Sequence, residues 1–149
     1  MRELYFAYGS NLSRRRLAER IGAPEALGAA SLDGHRLVFN KPSSDGSGKA
    51  NLVPDPGHTA WGVLWRIRAE TWPTLDGFEP GYTRTPCRVR DASGGRHEAQ
   101  VYLWSSPGPE QKPFASYLAY LLEGAREHGL PEDFIRHLAA VPSRPDPDS

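Results

Sequence analysis

Ala60-Trp61-Gly62-Val63-Leu64-Trp65-Arg66-Ile67 places Trp61, Val63, Trp65 and Ile67 at alternate positions. That is the period of a strand with one face on a core, and it is the clearest strand in the chain. Upstream, Leu4 to Tyr8 is rich in aromatic residues and reads as a first strand. Arg36 to Asn40 and Ala50 to Val53 are further short strand candidates. Lys41 to Gly48 has loop composition, and Pro54-Asp55-Pro56-Gly57 reads as a turn just ahead of the Ala60 strand. Downstream, Thr85–Asp91 and His97–Trp104 flank Ala92-Ser93-Gly94-Gly95 as the arms of a hairpin.

Helical spacing is confined to the front and the end. Leu12, Leu17 and Ile21 mark a helix that Asn11 or Ser13 can cap. Thr71 can cap a short helix with Pro73 in its first turn and its end near Gly77. Phe114, Tyr117, Leu118, Leu121 and Ala125 form one face of a helix running to Gly129, and a last helix starts at Pro131 with Glu132 and Asp133 in its first turn. Strands in the first two-thirds and helices at the end make an α+β fold, a curved sheet or small barrel with helices packed on it. One domain spans residues 1–141. The tail Pro142–Ser149 carries three prolines and is expected to fray.

The composition narrows the function. With 149 residues, 18 Lys+Arg and 18 Asp+Glu, the chain has no net charge with which to coat nucleic acid or an acidic membrane. Cys87 is the one cysteine, which excludes an intrachain disulfide or a thiolate metal cage and suits a reducing, cytoplasmic setting. No signal-peptide core precedes the first strand, and no apolar run approaches the roughly 18 residues of a membrane span. His35, His58, His97, His128 and His137 are scattered without metal-ligand spacing, so no metal or cofactor is expected. Arg14-Arg15-Arg16 with Arg20 reads as a solvated helix face, and Trp61 and Trp65 as core rather than a base-stacking platform. One asymmetry stands out: 15 of the 18 basic residues are arginine.

Two segments carry candidate chemistry. Tyr5-Phe6-Ala7-Tyr8-Gly9-Ser10-Asn11-Leu12 is a strand breaking into a helix through Gly-Ser-Asn. Backbone N–H groups at such a junction suit carboxylates and developing oxyanions, although a plain strand–turn–helix with an Asn cap is the simpler reading of these residues alone. Leu75-Asp76-Gly77-Phe78-Glu79-Pro80-Gly81-Tyr82 puts Glu79 in a turn between a helix and a strand. A surface charge is the default there; Phe78 and Pro80, folded over Glu79, would desolvate it and raise its pKa toward that of a general base for an ammonium.

Together the two segments resemble the gamma-glutamylcyclotransferase family, the first matching its opening signature and Leu75-Asp76-Gly77-Phe78-Glu79 the segment ending in its catalytic glutamate. The likeness extends to Ala60–Trp65, Val101–Leu103, Tyr117–Ala125 and Gly129–Pro131. It implies a small mixed β-barrel flanked by helices. The implied activity is cofactor-independent: the α-amine of a γ-glutamyl group attacks its own γ-carbonyl, giving 5-oxoproline and a free amine or amino acid. Glu79 would be base and then acid, and Tyr5 to Asn11 with Tyr117 would hold the γ-glutamyl moiety. The family often pairs, which allows a homodimer. Many members continue after the glutamate with Gly and a longer loop, whereas Pro80-Gly81 here leads directly to Tyr82. That departure points away from glutathione as sole substrate and toward a γ-glutamyl amine or amino acid. Two alternatives remain: a non-catalytic, carboxylate-binding or regulatory member of the fold, and a contact with RNA through the arginine-bearing helix.

Overall fold

The computed structural model describes residues 2–106 and 108–147. Five strands form a closed barrel in the spatial order β1-β3-β2-β4-β5: β1 Arg2–Ala7, β2 Glu25–Pro42, β3 Gly48–Arg68, β4 Thr83–Asp91 and β5 Arg96–Leu103. All neighbours are antiparallel except β1 and β5, which close the barrel in parallel at Tyr5 opposite Gln100. Four helices pack on it: α1 Arg14–Ile21, α2 Trp72–Gly77, α3 Ala115–Glu127 and α4 Glu132–Ala139. The α+β, barrel-like expectation is met.

The Ala60–Ile67 alternation belongs to a longer element. Residues 48–68 form one strand of 21 residues, joining the two segments that Pro54–Gly57 was expected to separate. In the ribbon with β2, Asp33 faces Thr59 while His35 faces Pro54, so four residues of β3 bulge outward and the strand resumes beyond them. Prolines and glycine thus mark a bulge here, which bends a ribbon without ending it. The Ala92–Gly95 hairpin holds as expected, with Arg90 opposite Arg96.

The interior centres on Trp65, Phe6, Leu64, Val63 and Val101, closed at one end by Leu12, Leu17, Leu75 and Leu121. Trp65 is fully buried and Trp61 partly so. Within the tail, Arg144 pairs with Phe114 as a parallel bridge, and its Nη1 donates to Gly46 O at 2.9 Å. No helix among the described residues is long and apolar enough to cross a membrane.

Two contacts fix the junction between β1 and α1. Trp65 Nε1 donates to Asn11 O at 3.1 Å from within the core. On the other side Gly124 of α3 lies directly on the junction: a Cβ there would meet Leu12 C at 2.2 Å and Leu12 O at 2.4 Å. Backbone so close leaves no room for a methyl group, and the clash is with main chain that cannot swing away. Gly124→Ala should therefore destabilise the fold by about 2 kcal/mol or more. Urea denaturation of the two proteins measures this directly, and an unchanged midpoint would show that α3 does not bear on the junction.

Candidate active site

Where β1 ends, the chain makes a single 3-10 turn, Ser10–Leu12, before α1 begins. Leu12 N donates to Gly9 O and Ser13 N to Ser10 O, so the amides of Gly9, Ser10 and Asn11 stand ahead of the first closed turn. Ser13 is the cap of α1, its Oγ accepting from Arg16 N at 3.2 Å. Asn11 is thereby free for another task. Its Nδ2 donates to the Tyr5 hydroxyl at 3.0 Å and to Glu79 Oε1 at 3.2 Å, and its Oδ1 accepts from Arg20 Nη1 at 3.3 Å.

Glu79 arrives from the opposite side of the chain. α2 unwinds through successive turns, Phe78 N to Leu75 O and Glu79 N to Asp76 O, and Tyr82 N then returns to Glu79 O. This short loop leaves the Glu79 side chain 16% exposed and 3.5 Å from Arg20 Nη1, itself 12% exposed. The covering does not come from the neighbours in sequence. Phe78 is 46% exposed, lying against Arg20 with the guanidinium 5.0 Å from its ring centre, and Pro80 is also exposed. The carboxyl is desolvated by the β1–α1 junction instead.

A cavity of about 180 Å³ opens over this contact. Tyr5, Phe6, Tyr8, Gly9, Ser10, Asn11, Glu79 and Tyr117 all line it, so the expected site residues converge, Ala7 excepted. Ala7 is buried opposite Val63 in the barrel wall and reaches the site only through the backbone. Tyr117 crosses from α3: its hydroxyl accepts from Ala50 N at 3.0 Å and would lie 3.2 Å from a Cβ on Gly9. Tyr82 closes the far wall by donating to Ala50 O at 2.7 Å. Tyr8 donates to Tyr102 O, and Tyr102 to Asp76 Oδ1 at 2.6 Å.

Four lining cations escaped the sequence reading as site residues: Arg16, Arg20, Lys41 and Lys49. The arginine cluster expected as a solvated face divides instead. Arg14 and Arg15 are exposed, while Arg16 and Arg20, one helical turn apart on α1, both face the cavity. That i, i+4 spacing directly after Gly-Ser-Asn was the available signal. None of the five histidines lines the cavity, and the described residues hold no cluster of three His, Cys, Asp or Glu side chains fit for a metal. Cys87 lies away from the cavity, half-buried, its thiol pushed up to about 12 by burial.

Burial raises the Glu79 carboxyl to about 7, against the combined pull of Arg20, Arg16, Lys41 and Lys49. Loss of hydration therefore outweighs four nearby cations. The tyrosines Tyr5, Tyr8, Tyr82, Tyr102 and Tyr117 are all raised, first by burial, and stay protonated at neutral pH. A carboxyl that changes state near neutrality, beside a turn presenting amides and phenols, can take a proton from a bound ammonium and return it.

Comparison with known proteins places the chain in a family. The family model for the AIG2-like family matches residues 59–138. Gamma-glutamylcyclotransferase of Mus musculus is 30% identical over 147 residues, covering 93% of this chain and 78% of the mouse protein. The chain belongs to the AIG2-like, gamma-glutamylcyclotransferase family. The Homo sapiens gamma-glutamylcyclotransferase is 29% identical over the same shares. A solved gamma-glutamyl cyclotransferase superposes with a TM-score of 0.91 at 27% identity, covering 100% of this chain and 93% of that one. The family's small mixed barrel is the fold observed here.

The raised carboxyl has a consequence for stability. The fold prefers protonated Glu79, so this contribution is full below the ordinary value of 4.5 and is lost as pH rises through about 7. Glu79→Gln, a permanent mimic of the protonated form, should be more stable than the parent near pH 8 by on the order of 3 kcal/mol. Near pH 4 the two should converge. Paired denaturation curves at the two pH values check it; an equal difference at both would mean that Glu79 titrates normally.

Proposed function

We propose that the chain is a gamma-glutamylcyclotransferase that closes a γ-glutamyl amide to 5-oxoproline and releases the amine. The observation that carries the reading is Glu79, a carboxyl raised to about 7 and held 3.2 Å from Asn11 at the floor of the cavity. Glu79 accepts a proton from the substrate α-ammonium, and the freed amine attacks the γ-carbonyl of the same molecule. A C–N bond forms and the carbonyl becomes an oxyanion, facing the amides of Gly9, Ser10 and Asn11. The intermediate then collapses and the original amide C–N bond breaks. The leaving nitrogen takes the ring nitrogen's extra proton and then the proton on Glu79, so it departs as an ammonium and Glu79 is restored.

The sparse machinery suits this reaction. Nucleophile and electrophile belong to one molecule, so holding them in register provides much of the rate. Tyr5, Phe6, Tyr8 and Tyr117 form the walls that do so, Ala7 setting the backbone between them, while Asn11 orients the base. A pure binding protein has no use for a carboxyl poised at neutrality, which favours catalysis over the non-catalytic alternative. With Arg16 and Arg20 turned inward, the α1 face offers little to RNA. The single cysteine suits a cytoplasmic setting.

Turnover of a γ-glutamyl amide panel, read as 5-oxoproline release, tests the reading. Expected is a kcat/KM that rises with pH through an apparent pKa of about 7. Glu79→Gln should lower kcat by about 10²–10⁴-fold while the protein stays folded. Full activity in that variant removes the proposed base.

A further inference from the structure

α2 spans six residues, Trp72–Gly77, too few to hold a helix in place by its own hydrogen bonds. Its position, and with it that of Glu79, depends on what its side chains grip. Trp72 and Leu75 are buried, and Trp72 Nε1 donates to Glu3 Oε1 at 3.1 Å. Beyond them Asp76 is the last anchor before the turn, because Gly77 has no side chain and that of Phe78 is largely exposed. The main-chain O of Asp76 accepts from Glu79 N at 3.0 Å, so whatever fixes Asp76 fixes the start of the Glu79 loop.

The barrel reaches Asp76 through a cross-strand pair. Arg84 of β4 and Tyr102 of β5 are register partners, and such partners present their side chains on one face. Tyr102 donates to Asp76 Oδ1 at 2.6 Å, and Arg84 Nη2 lies 3.6 Å from Oδ2. Both also pack on Trp72, one turn earlier on α2, with the guanidinium carbon 4.6 Å and the Tyr102 ring 6.3 Å from an indole ring centre. An i, i+4 pair of the helix is thus seated on two facing strand residues. Tyr102 is buried and edge-on to Tyr5, and its main-chain O accepts from the Tyr8 hydroxyl. One residue of β5 therefore ties both banks of the cavity, the end of β1 through its main chain and α2 through its hydroxyl. Asp76 itself does not line the cavity.

We propose that Asp76 and Tyr102 are positioning residues, whose hydrogen bond holds the Glu79 turn against the β1–α1 junction and keeps water from the carboxyl. Their effect on turnover rests on the cyclotransferase reading; their hold on Glu79 does not. The bond from Asn11 to Glu79, at 3.2 Å, spans the two banks, and a turn released from the barrel lengthens it and hydrates Glu79.

Two measurements test the pair on Tyr102→Phe, Asp76→Ala, Asp76→Asn and the double variant Tyr102→Phe/Asp76→Ala. Tyr102→Phe removes the donor, leaves the ring in place and changes no charge. With a γ-glutamyl amide, Tyr102→Phe and Asp76→Ala should each lower kcat by about 10- to 100-fold, with KM within about threefold of the parent. The double variant should lose no more than the worse single one, because both break the same bond. Asp76→Asn keeps an acceptor for Tyr102 and should recover most of the loss. The apparent pKa of kcat/KM, about 7 in the parent, should fall by about 1 or more in Tyr102→Phe as Glu79 gains water. Arg16, Arg20, Lys41 and Lys49, the cations acting on Glu79, are untouched by that change. Simple loss of stability would reduce the folded fraction and leave this limb in place.

The second measurement needs no turnover. In urea denaturation, the gain in stability from Glu79→Gln at pH 8 over that at pH 4 should be about half or less in the Tyr102→Phe background. Parental kcat with an unmoved pKa in both single variants overturns the proposal. So do additive losses in the double variant, which would put the Tyr102 hydroxyl on substrate, and an Asp76→Asn loss equal to that of Asp76→Ala, which would assign the effect to charge. Absence of turnover on every γ-glutamyl amide, with the pH-dependent stability gain still diminished in Tyr102→Phe, would sink the cyclotransferase reading and leave the positioning role standing.

Discussion

Taking the Glu79 carboxyl out of water is the constraint that the rest of the molecule is arranged to satisfy. A shift from 4.5 to about 7 corresponds to on the order of 3 kcal/mol at neutral pH, a large fraction of the roughly 5–15 kcal/mol that holds a domain together. Such a group stays in place only if its surroundings cannot relax. The barrel supplies that rigidity: Trp65 holds Asn11 O from inside, and Gly124 brings α3 onto Leu12 from outside. Asn11 then presents its amide to Glu79 with little freedom to turn away, since its Oδ1 is engaged by Arg20.

The same arrangement explains why four cations do not drive the carboxyl to an ordinary low pKa. Arg20 is close, at 3.5 Å, but is itself buried and lowered by desolvation. An ion pair stripped of water gains attraction and loses hydration on both partners, and the second term is frequently the larger. Here both partners shift in the direction desolvation demands. Arg20 therefore serves less to ionise Glu79 than to keep it oriented and to hold Phe78 beside the mouth.

What could be read from the sequence was local; what could not was the meeting of distant segments. The alternation around Trp65 and the Ala92–Gly95 hairpin are near-neighbour patterns, and both stand. The Gly-Ser-Asn junction and Glu79 were legible separately and through a family resemblance that linked them. Why Glu79 is buried was not legible, because its partner Asn11 lies 68 positions away, while Phe78 and Pro80 line the cavity but stay largely exposed. The single long β3 was hidden by Pro54–Gly57, whose composition is the same for a chain-reversing turn and for a bulge. Lys41 fell in a stretch of loop composition that ended just before Lys49, because only strand register sets the two opposite each other.

The proposed role of Glu79 as proton carrier is supported by the other groups that line the cavity. Its phenols, from Tyr5 to Tyr117, are raised by burial and remain donors or acceptors without releasing a proton near neutrality. No histidine reaches it, and Glu79 is the one carboxyl among its lining residues. A reaction that must first neutralise an ammonium and later protonate an amine needs a single group able to do both at one pH. A carboxyl near 7 meets that need where an ordinary one near 4.5 is too weak a base. The desolvation that burdens the fold is thus the property on which the proposed chemistry depends, and neutralising Glu79 trades one directly for the other.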